Sequence, residues 1–239
     1  MLRVILLGTG GSGGVPLLGG EGEAGEWGAC DPGEPRNRRT RTSALVEGPQ
    51  GQRLLIDAGP DLRAQLLATR RARLDAILFT HAHADHILGI DDLRQVNRIT
   101  GRALPAYGTR TTLSRLEDRF DYAFIEASSP FFFRPALEPR RVEYGERLEI
   151  AGLPVRVFRQ DHGVMDTLGI RIGGFAYSTD VVALPEESLP FLENVDTWVV
   201  GCFQREPHKV HANLDQVLEW VALLRPRRTV LTHMSASMD

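Results

Sequence analysis

The stretch DAILFTHAHADH, residues 75–86, decides how the rest of the chain is read. Residues 75–80 have the short, continuous apolar pattern of a buried strand. The strand runs straight into His81, His83, Asp85 and His86. On extended backbone the side chains alternate with period two, so His81 and His83 point the same way and can chelate one metal ion. If the chain then turns into a helix, Asp85 and His86 face a second ion nearby. Three imidazoles and a carboxylate crowded together either repel or share a cation. The donor mix suits zinc, and also iron or manganese. A catalytic centre keeps one position open for water, so about three protein ligands per ion are expected.

The remaining ligands must come from later in the chain. In layered α/β folds a site gathers at strand ends, and three candidates stand there. His162 follows the strand pattern VRVFRQ, Asp180 follows FAYST, and His233 follows TVLT. With the four in HAHADH they make seven ligating side chains, enough for two ions and one shared carboxylate. Taken singly, His162 or His233 is more often a structural residue, so the weight rests on HAHADH. Of the seven histidines in the chain, only His208 and His211 have no ligand role. They lie in EPHKVHANLDQVL just ahead of a helix, where the simplest alternative is a cap or a solvated side chain.

Outward from this centre the pattern is strands alternating with helices. A first strand at residues 2–7 leads into a glycine-rich loop at 8–42. Gly8, Gly10 and Gly13 spell GxGxxG there, but a dinucleotide site needs a helix to start at that point. VPLLGG follows instead, and no helix can be drawn; the glycines rather let a tight loop pass close beneath the metal site. Runs at 43–47 and 53–57 flank GPQG as a hairpin. Asp61 is placed to cap a helix over 62–71, and a second helix is expected over 85–100. Thr109 is placed to cap a third. Residues 121–141, with FFFRP and several prolines, have no readable element. Strands follow at 147–150 and 154–159, a hairpin at 169–172 and 175–178, a helix at 185–193 and a strand at 197–201. A helix begins at Asn213 or Asp215, and a last strand spans 229–232. With no repeat and no linker, residues 1–239 read as one α/β layered domain.

Composition sets the outer limits. Hydrophobic residues are 42 % and charged residues 25 %, which excludes a mainly disordered chain. No run approaches the ~18 apolar residues of a membrane span, and the N-terminus lacks a secretory cleavage pattern. A net charge of -3 gives no global basic field for nucleic acid. Cys30 and Cys202 are too few for a disulfide framework, so a reducing cytoplasm is the expected compartment.

At this point the residues resemble the metallo-β-lactamase-fold hydrolases. HAHADH looks like their HxHxDH, and His162, Asp180 and His233 match the later ligands in order and setting. The resemblance covers essentially the whole chain and implies a four-layer αββα sandwich with the site at one rim. It implies that one metal takes His81, His83 and His162, the other takes Asp85, His86 and His233, and Asp180 bridges them. LGTGGSGGVP, NRRTRTS, LIDAGPDLRAQL and GIDDLR further resemble the subgroup of phosphoribosyl cyclic phosphate phosphodiesterases. That subgroup is related to the tRNA 3′-processing endonucleases and includes a pyrroloquinoline quinone biosynthesis protein. Two departures stand out. Some members hold a structural zinc with several cysteines after the glycine loop, where this chain has only Cys30, so no such zinc is expected. Relatives also usually continue beyond the THM at residues 232–234.

The resemblance implies a dinuclear phosphodiesterase acting on a small cyclic phosphate or nucleotide-like ester. Two ions, zinc or manganese, clamp such an ester and bring the pKa of a bridging water toward neutrality. Asp85 and Asp180 are expected to orient that nucleophile while ligating metal. The leaving alkoxide needs a proton, and the subgroup's catalytic histidine matches His211 better than His208. Arg39, Arg41 and Arg94, with His208, are candidates for holding the substrate phosphate, although 27 arginines against one lysine make an Arg-rich loop a matter of composition too. Asp57, at a strand end, is expected to orient a ligand histidine, and Cys202 to be a small buried residue. The alternatives are a lactam, thioester or RNA 3′-processing hydrolase, or a non-catalytic accessory or carrier protein on the same fold. A complete ligand set favours the enzyme. No basic, aromatic-bearing arm for nucleic acid is evident. A homodimer fits the resemblance, but no apolar stripe demands it.

Overall fold

The hairpin expected around residues 48–51 forms between β2 (Ser43–Glu47) and β3 (Arg53–Ile56), with Leu45 opposite Leu55. It lies within a six-stranded sheet whose spatial order follows the chain. The other members are β1 (Arg3–Gly8), β4 (Ala76–Leu78), β5 (Leu104–Gly108) and β6 (Leu137–Arg141). From β3 to β6 the pairing is parallel. Helices α1 (Leu62–Thr69), α2 (Ala84–Ile87), α3 (Leu93–Thr100), α4 (Arg110–Arg119) and α5 (Asp121–Phe124) supply the crossovers. Leu55, Ile77 and Phe79 bury their side chains with Leu62, Leu93 and Leu116 in one core. The computed structural model behind this description covers residues 1–125 and 136–239. The FFFRP motif lies outside the described residues.

Local chemistry accounts for most of these boundaries. Thr109 caps α4 as expected, its hydroxyl accepting from the Thr112 N–H at 3.2 Å. Asp61 takes the cap position of α1, but its side chain makes no capping hydrogen bond. The helix expected over 85–100 is broken into α2, a 3-10 turn (Ile90–Asp92) and α3. Gly89 explains the break: a Cβ there would lie 2.2 Å from the Gly59 carbonyl oxygen, and its N–H bonds the Ala58 carbonyl at 2.8 Å. Only a glycine lets two backbones approach this closely.

A second six-stranded sheet is also ordered along the chain. It comprises β7 (Arg147–Ile150), β8 (Leu153–Asp161), β9 (Asp166–Ile172), β10 (Phe175–Ser178), β11 (Thr197–Gly201) and β12 (Arg228–Thr232). β8, β9 and β10 are antiparallel, whereas β10, β11 and β12 run parallel. Helix α6 (Leu214–Leu224) starts with a full capping box between Asn213 and Gln216 and packs Val217 into a core with Trp198 and Val200. The segment expected to be helical over 185–193 is a 3-10 turn (Glu186–Phe191), and Pro190 inside it has no N–H to extend an α-helix. The glycine loop forms no dinucleotide helix. It lies along the end of β12, where Gly10 bridges Arg41 and Met234.

These elements fall into two compact units. The first holds Met1–Leu7, Ser43–Glu143 and Leu148–Leu153; the second holds Gly8–Thr42, Tyr144–Arg147 and Pro154–Asp239. Two sheets flanked by helices are the components of the αββα architecture expected from the sequence. No helix among the described residues is long and apolar enough to cross a membrane.

Candidate metal centre

In the first unit, the end of β4 carries His81, His83, Asp85 and His86, and the backbone does what period two requires. His81 and His83 sit on extended chain, with ring centroids 4.6 Å apart. The chain then enters α2, which brings the His86 ring 4.3 Å from that of His81 and Asp85 Oδ2 to 3.2 Å from His86 Nε2. Beneath them lies Asp57, fully buried just past β3. Its Oδ2 is 2.7 Å from His86 Nδ1 and accepts from the Thr80 hydroxyl at 2.8 Å, while its Oδ1 accepts from the Thr80 N–H at 2.7 Å. Burial raises the Asp57 carboxyl above its ordinary pKa, and the bonds from His86 and Thr80 oppose the rise. Thr80 spends its one hydroxyl proton on Asp57, so at 2.9 Å from His81 Nδ1 it must accept from that ring. Both rings are thereby held with Nδ1 protonated and the Nε2 lone pair turned outward, which is the tautomer a metal ligand needs.

In the second unit, three strand ends converge on Asp180. Its Oδ1 lies 3.3 Å from His233 Nε2, 3.7 Å from His162 Nε2 and 3.8 Å from His211 Nδ1. Its Oδ2 accepts from the Thr179 hydroxyl at 2.6 Å. The Val210 carbonyl stands 2.6 Å from His162 Nδ1 and can only accept, so that nitrogen carries the proton. The His162 Nε2 lone pair then faces a carboxylate oxygen, and two acceptors turned toward each other need a proton or a cation between them. Asp180, His211 and His233 bring ligand atoms within 4.8 Å of one another. The imidazole and carboxylate donors gathered in each unit are of the kind that binds divalent metal.

Backbone conformation marks the same residues. Asp57, Asp180 and His233 each follow a strand and take left-handed φ angles of 62°, 49° and 54°. Such angles cost a non-glycine residue about 1–3 kcal/mol and persist where the surroundings over-determine them, often at functional sites.

The glycine loop passes against the second cluster. The Gly11 N–H bonds the Met234 carbonyl at 2.9 Å, and a Cβ on Gly11 would sit 2.9 Å from Phe203 Cε2 and 3.7 Å from His233 Cε1. Phe203 stacks on His211 with centroids 4.8 Å apart, and lies 4.9 Å from the His208 ring. Burial pushes His211 down to about 3, with Asp180 opposing the shift. Phe203 is a neighbour of the cluster that sequence reasoning passed over. It lies two residues beyond β11, the same strand-end signal that pointed to the other candidates.

The candidate phosphate ligands are more dispersed. Arg39 is buried, giving a 2.7 Å bond to Asn37 Oδ1 and lying against Cys30. Arg94 is paired with Asp91 at 2.8 Å on α3. Arg41 lies near Gly14 in the glycine loop. Cys202 is fully buried, and burial pushes its thiol up to about 11, as befits a packing residue.

Residues 52–234 match the beta-lactamase superfamily domain, and this chain belongs to that superfamily. Within it, the chain is similar to a diphosphatase of the PhnP family, with 33 % identity, a TM-score of 0.88, and coverage of 100 % of this chain and 89 % of that one. It is 33 % identical over 98 % of its length to an octanoyltransferase of Porphyromonas gingivalis, of which it covers 46 %. Over 54 % of its length it is 33 % identical to a ribonuclease Z of Methanopyrus kandleri, of which it covers 43 %. The chain thus spans about half the length of these two curated relatives.

Proposed function

We propose that this chain is a single-domain, dinuclear metal-dependent phosphodiesterase, cleaving a small cyclic phosphate or nucleotide-like phosphodiester. The observation that carries the reading is the convergence of His162, His211 and His233 on one oxygen of Asp180. Together with the tautomer-locked His81 and His86, it supplies the lone pairs of a two-ion site with a shared carboxylate. His81, His83 and His162 would hold one ion, Asp85, His86 and His233 the other, with Asp180 common to both. Zinc or manganese, once bound there, would clamp the ester oxygens and lower the pKa of a water molecule toward neutrality. Asp85 and Asp180 would orient the attacking water. His211 is not needed as a ligand and faces Asp180, whose carboxylate opposes the downward push of burial, so a proton held between the two is placed to pass to the leaving alkoxide. Arg41, with Arg39, Arg94 and His208 as further candidates, would meet the phosphate oxygens.

Full-length likeness to a PhnP-family diphosphatase supports phosphate chemistry over lactam or thioester cleavage. The ribonuclease Z relative supports it as well. The name octanoyltransferase belongs to a protein of which this chain covers under half, and its activity is not carried over. Two buried free cysteines fit a reducing, cytoplasmic setting.

The test is metal analysis after reconstitution with zinc or manganese, followed by a screen of phosphodiesters, lactams and thioesters. Close to two ions per chain and turnover of bis-p-nitrophenyl phosphate are expected. Fewer than one ion per chain, or cleavage confined to lactams or thioesters, would overturn the reading.

A further inference from the structure

In the first unit, the end of the sheet where β3, β4 and β5 begin holds a cleft of about 650 Å³, lined by Arg53, Arg73, Arg102, Asp75, Pro105 and Tyr107 among others. HAHADH follows the other end of β4, so roughly 15 Å of extended chain separates cleft and ligands. The volume is in the range of small-molecule sites. Three arginines and one carboxylate line the cleft, and they are held in different ways. Asp75 works as an organiser: Oδ1 accepts from Arg102 Nη2 at 3.1 Å and Oδ2 from the Arg53 N–H at 2.9 Å. Arg53 is anchored through Nε to Glu47 at 2.9 Å, a carboxylate that Arg71 also holds, at 2.7 Å. The Arg73 guanidinium has no hydrogen bond or ion pair among the described residues; only its carbonyl is engaged, by Arg53 Nη1 at 3.4 Å. With Glu47 holding the Arg53 guanidinium and Asp75 holding that of Arg102, the charge of Arg73 is left unbalanced among the described residues, with spare N–H donors on Arg73 and Arg102. Tyr107 and Pro105 add a flat apolar wall beside the donors.

We infer that this cleft is a second, non-catalytic site for a phosphate-bearing small molecule with a flat ring, of the size and chemistry of a nucleoside monophosphate. The guanidinium forks of Arg73 and Arg102 take the phosphate oxygens, and their geometry suits phosphate better than a point charge would. The ring lies along Tyr107 and Pro105. The inference does not depend on the proposed phosphodiesterase activity, because none of these residues belongs to the candidate metal centre.

Calorimetric titration of the full chain with adenosine 5′-monophosphate, inorganic phosphate and adenosine tests it. The nucleotide should bind more tightly than either fragment. In an Arg73→Gln/Arg102→Gln variant its affinity should fall at least tenfold, while metal content and turnover of bis-p-nitrophenyl phosphate stay as in the parent. Arg73→Gln alone removes a guanidinium without protein partners and gives the same direction if the double variant folds poorly. His211→Ala should leave nucleotide affinity unchanged, which separates this cleft from the catalytic end. Nucleotide affinity unchanged in both arginine variants, or no binding by the parent at millimolar concentration, would overturn the site. Adenosine binding as tightly as the nucleotide would overturn its phosphate class, and inorganic phosphate binding as tightly would overturn the ring contact.

Discussion

Asp57 Oδ2 stands 2.7 Å from His86 Nδ1, with both side chains fully buried. Through the Thr80 hydroxyl the same carboxylate also fixes His81. One buried acid thus sets the tautomer of two candidate ligands, one just past β4 and one on α2. Asp57→Asn keeps the shape and tolerates the left-handed φ of 62°, since Asn is among the residues that adopt it most readily. It removes the charge that favours the Nδ1 protons. Metal affinity and turnover should fall by about 10–100-fold, the usual cost of losing a residue that orients a ligand. Metal content and kcat equal to the parent would show that His86 needs no such partner.

His211→Ala should lower turnover of a phosphodiester with an alkoxide leaving group, such as a nucleoside 2′,3′-cyclic phosphate, by about 100-fold or more, the range expected for loss of a general acid. Metal content should be unchanged, because all seven proposed ligands remain. Bis-p-nitrophenyl phosphate, whose nitrophenolate leaves without a proton, should lose much less. Equal losses for good and poor leaving groups would remove His211 from proton transfer. Loss of metal would make it a ligand instead.

The motif HAHADH and the strand-end candidates were legible because their signal is local. Apolar runs ending in His or Asp need only period-two geometry to be interpreted. Asp57 was readable on the same ground. The break at Gly89 was not, because it depends on Ala58 and Gly59, some thirty residues earlier, passing close to its backbone. Nor was the Val210 carbonyl on His162, since a main-chain acceptor leaves no trace in residue type. Arg39 reads as a phosphate ligand by its chemistry, yet it is buried against Asn37 and Cys30. Its partners lie in the glycine loop, whose path the sequence does not announce.

Gly11→Ala examines the loop directly. The residue's φ lies outside the left-handed region, so alanine is not strained by backbone, but its methyl carbon would lie 2.9 Å from Phe203 Cε2. The ring must move, and Phe203 is stacked on His211. Thermal stability should drop by about 1–3 kcal/mol, as for other overpacked sites, and turnover should drop with it. Adding Phe203→Leu should restore much of the stability but not the turnover. If Gly11→Ala leaves kcat untouched, Phe203 does not position His211.

Glu47 offers a prediction on stability that is independent of the site. It lies 2.7 Å from Arg71 Nε, 2.9 Å from Arg53 Nε and 3.9 Å from Arg3 Nη1. Burial pushes its carboxyl up, but the hydrogen bonds from Arg71 and Arg53 outweigh this and hold it below the ordinary glutamate range. A depressed folded-state value means that the ionised form stabilises the fold. That contribution is complete above the unfolded value of about 4.3 and disappears as pH falls through the lower folded value. Glu47→Gln should therefore cost roughly 1.5–3 kcal/mol near neutral pH, the range for hydrogen bonds to charged groups. The difference from the parent should shrink in denaturant titrations carried out below pH 4.3. A gap that stays constant down to the acid limit would mean that Glu47 acts through packing and not through its charge.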